Sequence, residues 1–161
     1  LEAFVDIRAR GAKIGSNTGY ASMMIGQLVQ DAADQGYVPD CTITASDVKH
    51  GRPYPEMLWK NLIELDVLDI KTVVKVDDTV VGIEEGLNAG CWTVGLAVSE
   101  NEVGLSFEEW SALSASEQLS LKEKAYAKMN ASGAHYVIDS IADLPAVLDA
   151  IEQRLANSEK P

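Results

Sequence analysis

The sequence predicts an α/β fold in which helices cover both faces of a doubly wound parallel sheet. Short apolar or β-branched segments alternate with longer segments of helical periodicity along the 161 residues, an order typical of parallel sheets. Hydrophobic residues make up 47% of the chain and charged residues 24%, which is ordinary for a globular protein. No repeat or low-complexity tract indicates a second domain, so we expect one domain with one hydrophobic core.

The first half of the chain is expected to contain three helices and two strands. In order, they are a helix over 1–10, a strand over 12–16, a helix over 20–35, a strand over 41–44 and a helix that begins near Pro55. The second of these helices has an apolar stripe through Met24, Leu28 and Ala32, and Gly36 is a usual residue just past a helix end. Pro55 suits a first helical turn.

The second half continues the alternation. We expect a strand over 72–76, a helix over 83–89, a strand over 92–96, an irregular loop over 99–106, one or two helices within 107–132, a strand over 136–138, a helix over 141–155 and a frayed tail. The β-branched run over 72–76 is typical of a strand that is buried on both faces.

Composition excludes several classes of function. The formal net charge is −12, which opposes non-specific binding of nucleic-acid phosphates. No apolar run approaches the roughly 20 residues that span a bilayer, and residues 1–8 do not resemble a signal peptide. We therefore expect a cytosolic protein without nucleic-acid or membrane partners. Cys41 and Cys91 have no metal-ligand spacing, and both are expected to be reduced, partly buried thiols.

Three strand ends carry polar residues suited to a phosphoryl group, because ligands of such sheets bind beyond the carboxyl ends of the strands. The first is Ser16-Asn17-Thr18-Gly19-Tyr20, where a hydroxyl and the free N–H groups of a following helix form an anion site. Ser, Asn and Thr are also the preferred N-cap residues, so a helix cap is the alternative for this segment.

The other two segments supply acids and a cation. Asp77 and Asp78 follow the strand over 72–76, and carboxylates there suit Mg²⁺ beside phosphate; a turn in which an aspartate caps the next helix is the alternative. Only one of the two is expected to line the site, since adjacent strand residues face opposite ways. Arg52 lies between Gly51 and the Pro53-Tyr54-Pro55 run and suits bidentate phosphate binding, although a surface arginine in a rigid turn fits equally.

The order of these segments resembles the second, third and fourth motifs of the haloacid dehalogenase superfamily. The local sequence resembles the phosphonoacetaldehyde hydrolase family more closely than the superfamily in general, and this resemblance extends from residue 1 to about residue 155. The stretches that carry this resemblance are Lys13–Tyr20, Gly51–Pro55, Lys75–Thr79, Glu85–Gly90 and Trp92–Gly95. A generic phosphatase of the superfamily is not expected to combine Gly-Arg-Pro-Tyr-Pro with Ser-Asn-Thr-Gly-Tyr.

The resemblance implies a role for five residues. Thr18 matches the hydroxyl that binds the transferring phosphoryl group, Gly19 offers backbone and Tyr20 lines the pocket. Arg52 takes the place of the usual motif-three lysine, and Asp78 matches the carboxylate that binds Mg²⁺, the implied cofactor.

Neighbouring positions are expected to contribute less. Asp77 is the less probable metal ligand, and Gly82 stands near the place where many superfamily members have a further acid. His50 is expected in a solvated loop and His135 is expected to be structural. None of Lys13, Lys49 and Lys75 matches the family's Schiff-base lysine.

The resemblance also implies what residues 1–161 are part of. The chain is expected to be the C-terminal part of a haloacid dehalogenase-like core domain, with the nucleophile strand and a helical cap domain lying upstream. The family's lysine forms a Schiff base with phosphonoacetaldehyde, and its aspartate takes the phosphoryl group when the C–P bond breaks. The partners implied are a small-molecule phosphonate and a second subunit in a homodimer. A superfamily phosphatase acting on a phosphate ester and a non-catalytic α/β binding module are the alternatives.

Overall fold

The structure, a computed structural model, describes residues 2–98 and 107–161, and it confirms the α/β class. Its helices and strands alternate along the described chain much as the sequence predicts. They are α1 (Glu2–Ala9), β1 (Gly15–Thr18), α2 (Ser22–Asp34), β2 (Cys41–Thr44), α3 (Glu56–Glu64), β3 (Val74–Asp77), α4 (Val80–Ala89), β4 (Trp92–Leu96), α5 (Phe107–Ala112), α6 (Ala115–Ala131), β5 (Tyr136–Ile138) and α7 (Leu144–Ala156).

All strand pairs are parallel, but they form two sheets. In the first sheet β1 pairs with β2, with Gly15 opposite Cys41. In the second, β4 lies between β3 and β5, with Val74 opposite Trp92 and Val94 opposite Tyr136. Within the described residues β1 and β3 do not pair with each other, so each is the edge of its sheet on one side. Side chains, not a backbone ladder, connect the two sheets.

The main core lies in the three-stranded sheet and against α7. Its buried members are Trp92, Val94, Ile138, Leu144, Val147 and Ile151. The Trp92 indole donates from Nε1 to the Lys71 carbonyl oxygen at 2.9 Å, and the Arg154 guanidinium lies 4.3 Å from the centre of the ring. The other faces are covered as the alternation predicts, with α3 on β1 and β2 and α4 on β3 and β4.

Four boundaries differ from the predictions for local reasons. β1 begins at Gly15, not at 12, because Asp40 holds Ile14 through both its amide and its carboxylate and the ladder begins only at Cys41. β3 begins at Val74 because Ile70–Thr72 is a 3₁₀ turn. α4 begins at Val80, not 83, since Thr79 caps it.

The fourth difference concerns the closing helix. A 3₁₀ turn over Ile141–Asp143 precedes it, so α7 begins at Leu144. The helical segment after 107 divides into α5 and α6, and the predicted loop over 99–106 lies outside the described residues.

Two compositional predictions can be compared with the structure. Both cysteines are free thiols; Cys41 is half-buried as predicted, whereas Cys91 is fully buried. Burial raises the pKa of the Cys91 thiol to about 11, so this side chain stays protonated near neutral pH. Among the described helices, none combines the length and the apolar character needed to cross a bilayer.

Candidate functional site

A pocket of about 430 Å³ lies where β1 and β3 end. Its lining consists of Asn17, Thr18, Gly19, Tyr20, Arg52, Val76, Asp77, Asp78, Thr79 and Leu96. All five residues that the sequence predicts for the site line this pocket, although they come from three separate segments of the chain. The carboxyl ends of parallel strands therefore meet here as the sheet geometry requires.

The Thr18 segment is part of a strand, and it does not cap a helix. Thr18 is the last residue of β1, and its Oγ1 accepts a hydrogen bond from the Tyr20 amide at 3.2 Å. The N-cap position of α2 is Ala21, which makes no side-chain cap. The alternative prediction of a cap is therefore wrong, and the hydroxyl is placed at the pocket.

Arg52 is held by groups from three elements. Its Nε donates to Glu85 Oε2 at 3.2 Å, and its Nη2 donates to the Asn17 carbonyl oxygen at 3.2 Å. Nη2 also lies 3.3 Å from Asp77 Oδ2, and the side chain is only 18% exposed. The alternative of a surface arginine is therefore wrong. The peptide bond between Arg52 and Pro53 is cis.

Four charged side chains, Arg52, Lys75, Asp77 and Glu85, form what we call the charged cluster. Lys75 Nζ lies 3.1 Å from Asp77 Oδ2 and 3.0 Å from Glu85 Oε2. Glu85 is fully buried, and Lys75 and Asp77 are almost so. Burying single charges would be prohibitive, but two cations here meet two anions at hydrogen-bond distance.

The sequence reading missed Lys75 and Glu85. The strand over 72–76 is predicted to be buried through its apolar residues, whereas in β3 the buried positions are Lys75 and Asp77, and the valines are half-buried. The sequence does contain a signal for this charged face. A lysine and an aspartate stand two residues apart, so they lie on the same face of the strand. A buried charged face of that kind requires charged partners, which the following helix supplies.

Asp77 and Asp78 have different environments. Asp77 Oδ1 accepts from the Thr79 amide at 3.0 Å and from the Thr79 hydroxyl at 2.7 Å. Burial opposes ionisation of Asp77, but the Lys75 and Arg52 cations and the Thr79 hydrogen bonds outweigh it and lower the pKa of this carboxyl. Asp78 is half-buried and lines the pocket. The predicted turn exists, but Thr79 caps α4 in place of an aspartate.

The residues fit Mg²⁺ as a partial site. Among the described residues, no group of three or more His, Cys, Asp or Glu side chains is arranged to hold a metal ion. A Cβ added at Gly82, where a further acid is common in the superfamily, would collide with the Asp77 carboxylate. Mg²⁺ is often bound through one or two carboxylates and several waters beside phosphate, so Asp78 suits a single-carboxylate contribution.

Both histidines lie outside the pocket lining. His50 Nδ1 is 2.5 Å from Glu56 Oε1, and the side chain is half-exposed, as expected for a loop residue. His135 Nδ1 accepts from the Thr93 amide at 3.1 Å, while the Thr93 hydroxyl oxygen accepts from the His135 amide at 3.1 Å. This reciprocal pair links β4 to the start of β5, so the expected structural role of His135 agrees with its contacts.

Comparison with known proteins identifies relatives along the whole chain. No family model matches. A phosphonoacetaldehyde hydrolase from Hahella chejuensis is 48% identical over 161 residues, which is 100% of this chain and 55% of that protein. The crystal structure of a phosphonoacetaldehyde hydrolase-like protein from Oleispira antarctica is 49% identical with a TM-score of 0.97, and the match covers 99% of this chain and 58% of that one.

More distant structures share the fold. A haloacid dehalogenase-like protein of unknown function from Agrobacterium tumefaciens is 19% identical with a TM-score of 0.61, over 84% of this chain and 53% of that one. The chain spans 55–60% of the length of the curated relatives that it matches. Over its whole length this chain is homologous to phosphonoacetaldehyde hydrolases, and its fold is that of the haloacid dehalogenase superfamily.

Proposed function

We propose that residues 1–161 form the phosphoryl-binding part of a hydrolase that cleaves the C–P bond of phosphonoacetaldehyde to acetaldehyde and phosphate. The observation that carries this proposal is the pocket, which gathers Thr18, Gly19, Tyr20, Arg52 and Asp78. The 48% identity to a phosphonoacetaldehyde hydrolase supports the choice of substrate over other phosphoryl compounds.

In this proposal the chain's own residues bind and orient the phosphoryl group. The Thr18 hydroxyl and the Gly19 amide donate to its oxygens, and Tyr20 lines the pocket. Arg52 contributes a fixed guanidinium, which matches the geometry of phosphate oxygens. Because phosphoryl transfer depends mainly on positioning and charge stabilisation, these contacts are the contribution expected from this part of the enzyme.

Mg²⁺ belongs to the proposal as the cofactor, with Asp78 as the carboxylate that this chain supplies. The ion would neutralise negative charge on the phosphoryl oxygens. Asp77 is less suited as a ligand, because its two oxygens already meet Arg52, Lys75 and Thr79.

The covalent steps are assigned to residues beyond those of this chain. As the resemblance implies, a lysine condenses with the aldehyde, and the iminium accepts the electrons of the breaking C–P bond. An aspartate takes the phosphoryl group, and water then hydrolyses the aspartyl phosphate. Residues 1–161 alone are accordingly expected to lack turnover.

The proposed enzyme is a cytosolic homodimer. The second subunit comes from the resemblance, and exposed apolar residues on the outer side of α3 support it. Trp59 and Ile63, one helical turn apart, are 48% and 77% exposed, and a partner subunit would remove such surface from water. The mass of the complete enzyme in solution, measured by light scattering, tests this assignment.

The experiment for the function compares two substrates in the complete enzyme. We expect equimolar acetaldehyde and phosphate from phosphonoacetaldehyde, dependent on Mg²⁺, and much slower release of phosphate from an ester such as p-nitrophenyl phosphate. Faster ester hydrolysis without acetaldehyde release would instead identify a phosphatase. Phosphate binding without turnover of either compound would favour a binding module.

A further inference from the structure

The contacts of Arg52 involve two of its three guanidinium nitrogens. Nε donates to Glu85 Oε2 at 3.2 Å, and Nη2 lies 3.3 Å from Asp77 Oδ2. Nη2 also donates to the Asn17 carbonyl oxygen. Nη1 has no hydrogen-bond or ion-pair partner among residues 2–98 and 107–161. Since Arg52 lines the pocket, Nη1 remains for an anion.

Both carboxylate oxygens of Glu85 have partners. Its side chain is fully buried, and Oε2 meets both Arg52 Nε and Lys75 Nζ. Its other oxygen, Oε1, accepts from the Asn17 side-chain amide at 3.3 Å. Asn17 belongs to β1 and Lys75 to β3, so the two sheets together define the position of this carboxylate on α4.

We propose that Glu85 is a positioning residue: its buried carboxylate holds the Nε edge of Arg52 so that Nη1 is presented to a phosphoryl group in the pocket. This inference rests on the proposed function and deepens it. Glu85 does not line the pocket and would not touch the substrate itself. Lys75 provides a second cation for the Glu85 carboxylate, and the two cations and two anions of the cluster balance.

The direction in which phosphate affinity changes distinguishes a positioning role of Glu85 from a purely electrostatic effect of its charge. Glu85 is an anion close to an anion-binding arginine, so removing its charge should strengthen phosphate binding if only net charge mattered. If Glu85 acts by holding Arg52, removing its charge should weaken phosphate binding, because the guanidinium gains alternative orientations. The two accounts therefore predict opposite signs for the same substitution.

The test is a double-substitution cycle in the complete enzyme with Glu85→Gln and Arg52→Lys. The readouts are kcat/KM for phosphonoacetaldehyde and the Kd of inorganic phosphate by calorimetry. We expect Glu85→Gln to weaken phosphate binding about tenfold, and the double variant to be no weaker than Arg52→Lys alone, because coupled residues are non-additive. Glu84→Gln is the matched control, since it removes the same charge from the neighbouring position on α4 and should leave both readouts unchanged.

A second variant tests the role of Glu85 if Glu85→Gln does not fold. Glu85→Asp keeps the charge of the cluster but shortens the side chain by one methylene, and the same loss of phosphate affinity is expected. Tighter phosphate binding by Glu85→Gln, or effects that multiply independently in the double variant, would overturn the positioning role. An inactive wild-type enzyme would refute the proposed function separately, because the phosphate Kd values still test Glu85.

Discussion

Arg52 is the residue whose environment most restricts its replacement. A lysine keeps the charge but offers one ammonium, which cannot meet Glu85 and Asp77 and also bind phosphate through a planar edge. We expect Arg52→Lys in the complete enzyme to lower kcat/KM by an amount equivalent to about 1–3 kcal/mol, the range for a charged hydrogen bond. Steady-state kinetics with phosphonoacetaldehyde measure this.

Arg10→Lys serves as the control for that substitution. Arg10 binds Asp6 and Asp149 at the surface, where ion pairs contribute little, and its kcat/KM should equal that of the wild type. Unchanged kcat/KM in Arg52→Lys would remove Arg52 from the site.

The two neighbouring aspartates should respond differently to loss of charge. Asp78→Asn should raise the Mg²⁺ concentration needed for half-maximal activity far more than Asp77→Asn does. Asp77→Asn should instead lower the thermal midpoint, because it leaves Lys75 and Arg52 with a single buried carboxylate. Mg²⁺ titrations and thermal unfolding of both variants measure the two effects, and the reverse ranking would assign the metal to Asp77.

His135 provides a pH test that does not involve the pocket. Burial, with a smaller effect of Arg154, lowers the pKa of His135 below its ordinary value. The folded state therefore binds fewer protons than the unfolded state once pH falls below the ordinary pKa of about 6.5. The stabilisation is complete above that pH and is lost as pH falls toward the folded-state pKa.

The measurement is the unfolding free energy of the complete enzyme between pH 8 and 5. His135→Asn should show a smaller decrease across this interval than the wild type does. An equal decrease in both proteins would show that protonation of His135 does not contribute.

At the level of residues, the pocket lining was predictable and the groups behind it were not. Thr18 and Asp78 are polar residues at strand ends, and strand ends converge in a parallel sheet. Arg52 lies in the turn before α3. Glu85 lies inside a helix, and only the pairing of α4 with β3 brings it to Lys75. The sequence pattern predicts that β3 is a strand, but it does not predict that the buried positions of this strand are charged.

Among the elements, α4 approaches β3 and β4 through two glycines one turn apart. A Cβ added at Gly86 would lie 2.6 Å from Thr93 Cγ2, and one at Gly82 would collide with Asp77. Alanine normally favours a helix interior over glycine by about 1 kcal/mol. Gly82→Ala should nevertheless destabilise the complete enzyme by about 1–3 kcal/mol, the usual cost of overpacking.

Gly26→Ala is the matched comparison, because Gly26 lies in α2 with open space where its Cβ would be. It should be neutral or stabilising by about 0.4–1 kcal/mol. Denaturant unfolding of both variants gives the difference, and equal stability changes would mean that α4 can move away from β3 without loss.

Element types were predictable because helical and strand periodicities differ, and the strand over 92–96 matches β4 in both limits. Boundaries were less predictable where a side chain forms a hydrogen bond with the backbone at the end of an element. Asp40 at Ile14 and Thr79 at the start of α4 are examples. The family resemblance implies a nucleophile strand between the strand that ends near Thr18 and the one that ends at Asp78, and the separation of β1 from β3 agrees with this expectation. No local sequence pattern encodes that separation.

For the whole molecule, the charged cluster and neighbouring side chains connect two sheets that share no ladder. Arg52 and Asn61 donate to successive carbonyls of β1, those of Asn17 and Ser16. The free edges of β1 and β3 remain, and each unpaired buried backbone group costs roughly 1–3 kcal/mol. Against a typical stability of about 5–15 kcal/mol, a few such groups are enough to prevent folding.

Residues 1–161 expressed alone should therefore unfold without a sharp transition and release no acetaldehyde from phosphonoacetaldehyde. Supplying the N-terminal segment of a phosphonoacetaldehyde hydrolase as a separate polypeptide is expected to sharpen unfolding and restore some turnover. Calorimetry and the acetaldehyde assay measure both. A monomeric, cooperatively folded and active chain would contradict the strand arrangement and the catalytic assignment together.

The division into two sheets also has a spectroscopic consequence. Trp92 is fully buried in the three-stranded sheet, whereas Trp59 on α3 is 48% exposed beside β1 and β2, so in a single chain their fluorescence should differ in wavelength. With Trp110 replaced by phenylalanine, each remaining indole reports on one sheet. If the charged cluster couples the sheets, Glu85→Gln should separate the two signals, so that the emission of Trp59 and the emission of Trp92 change at different denaturant concentrations.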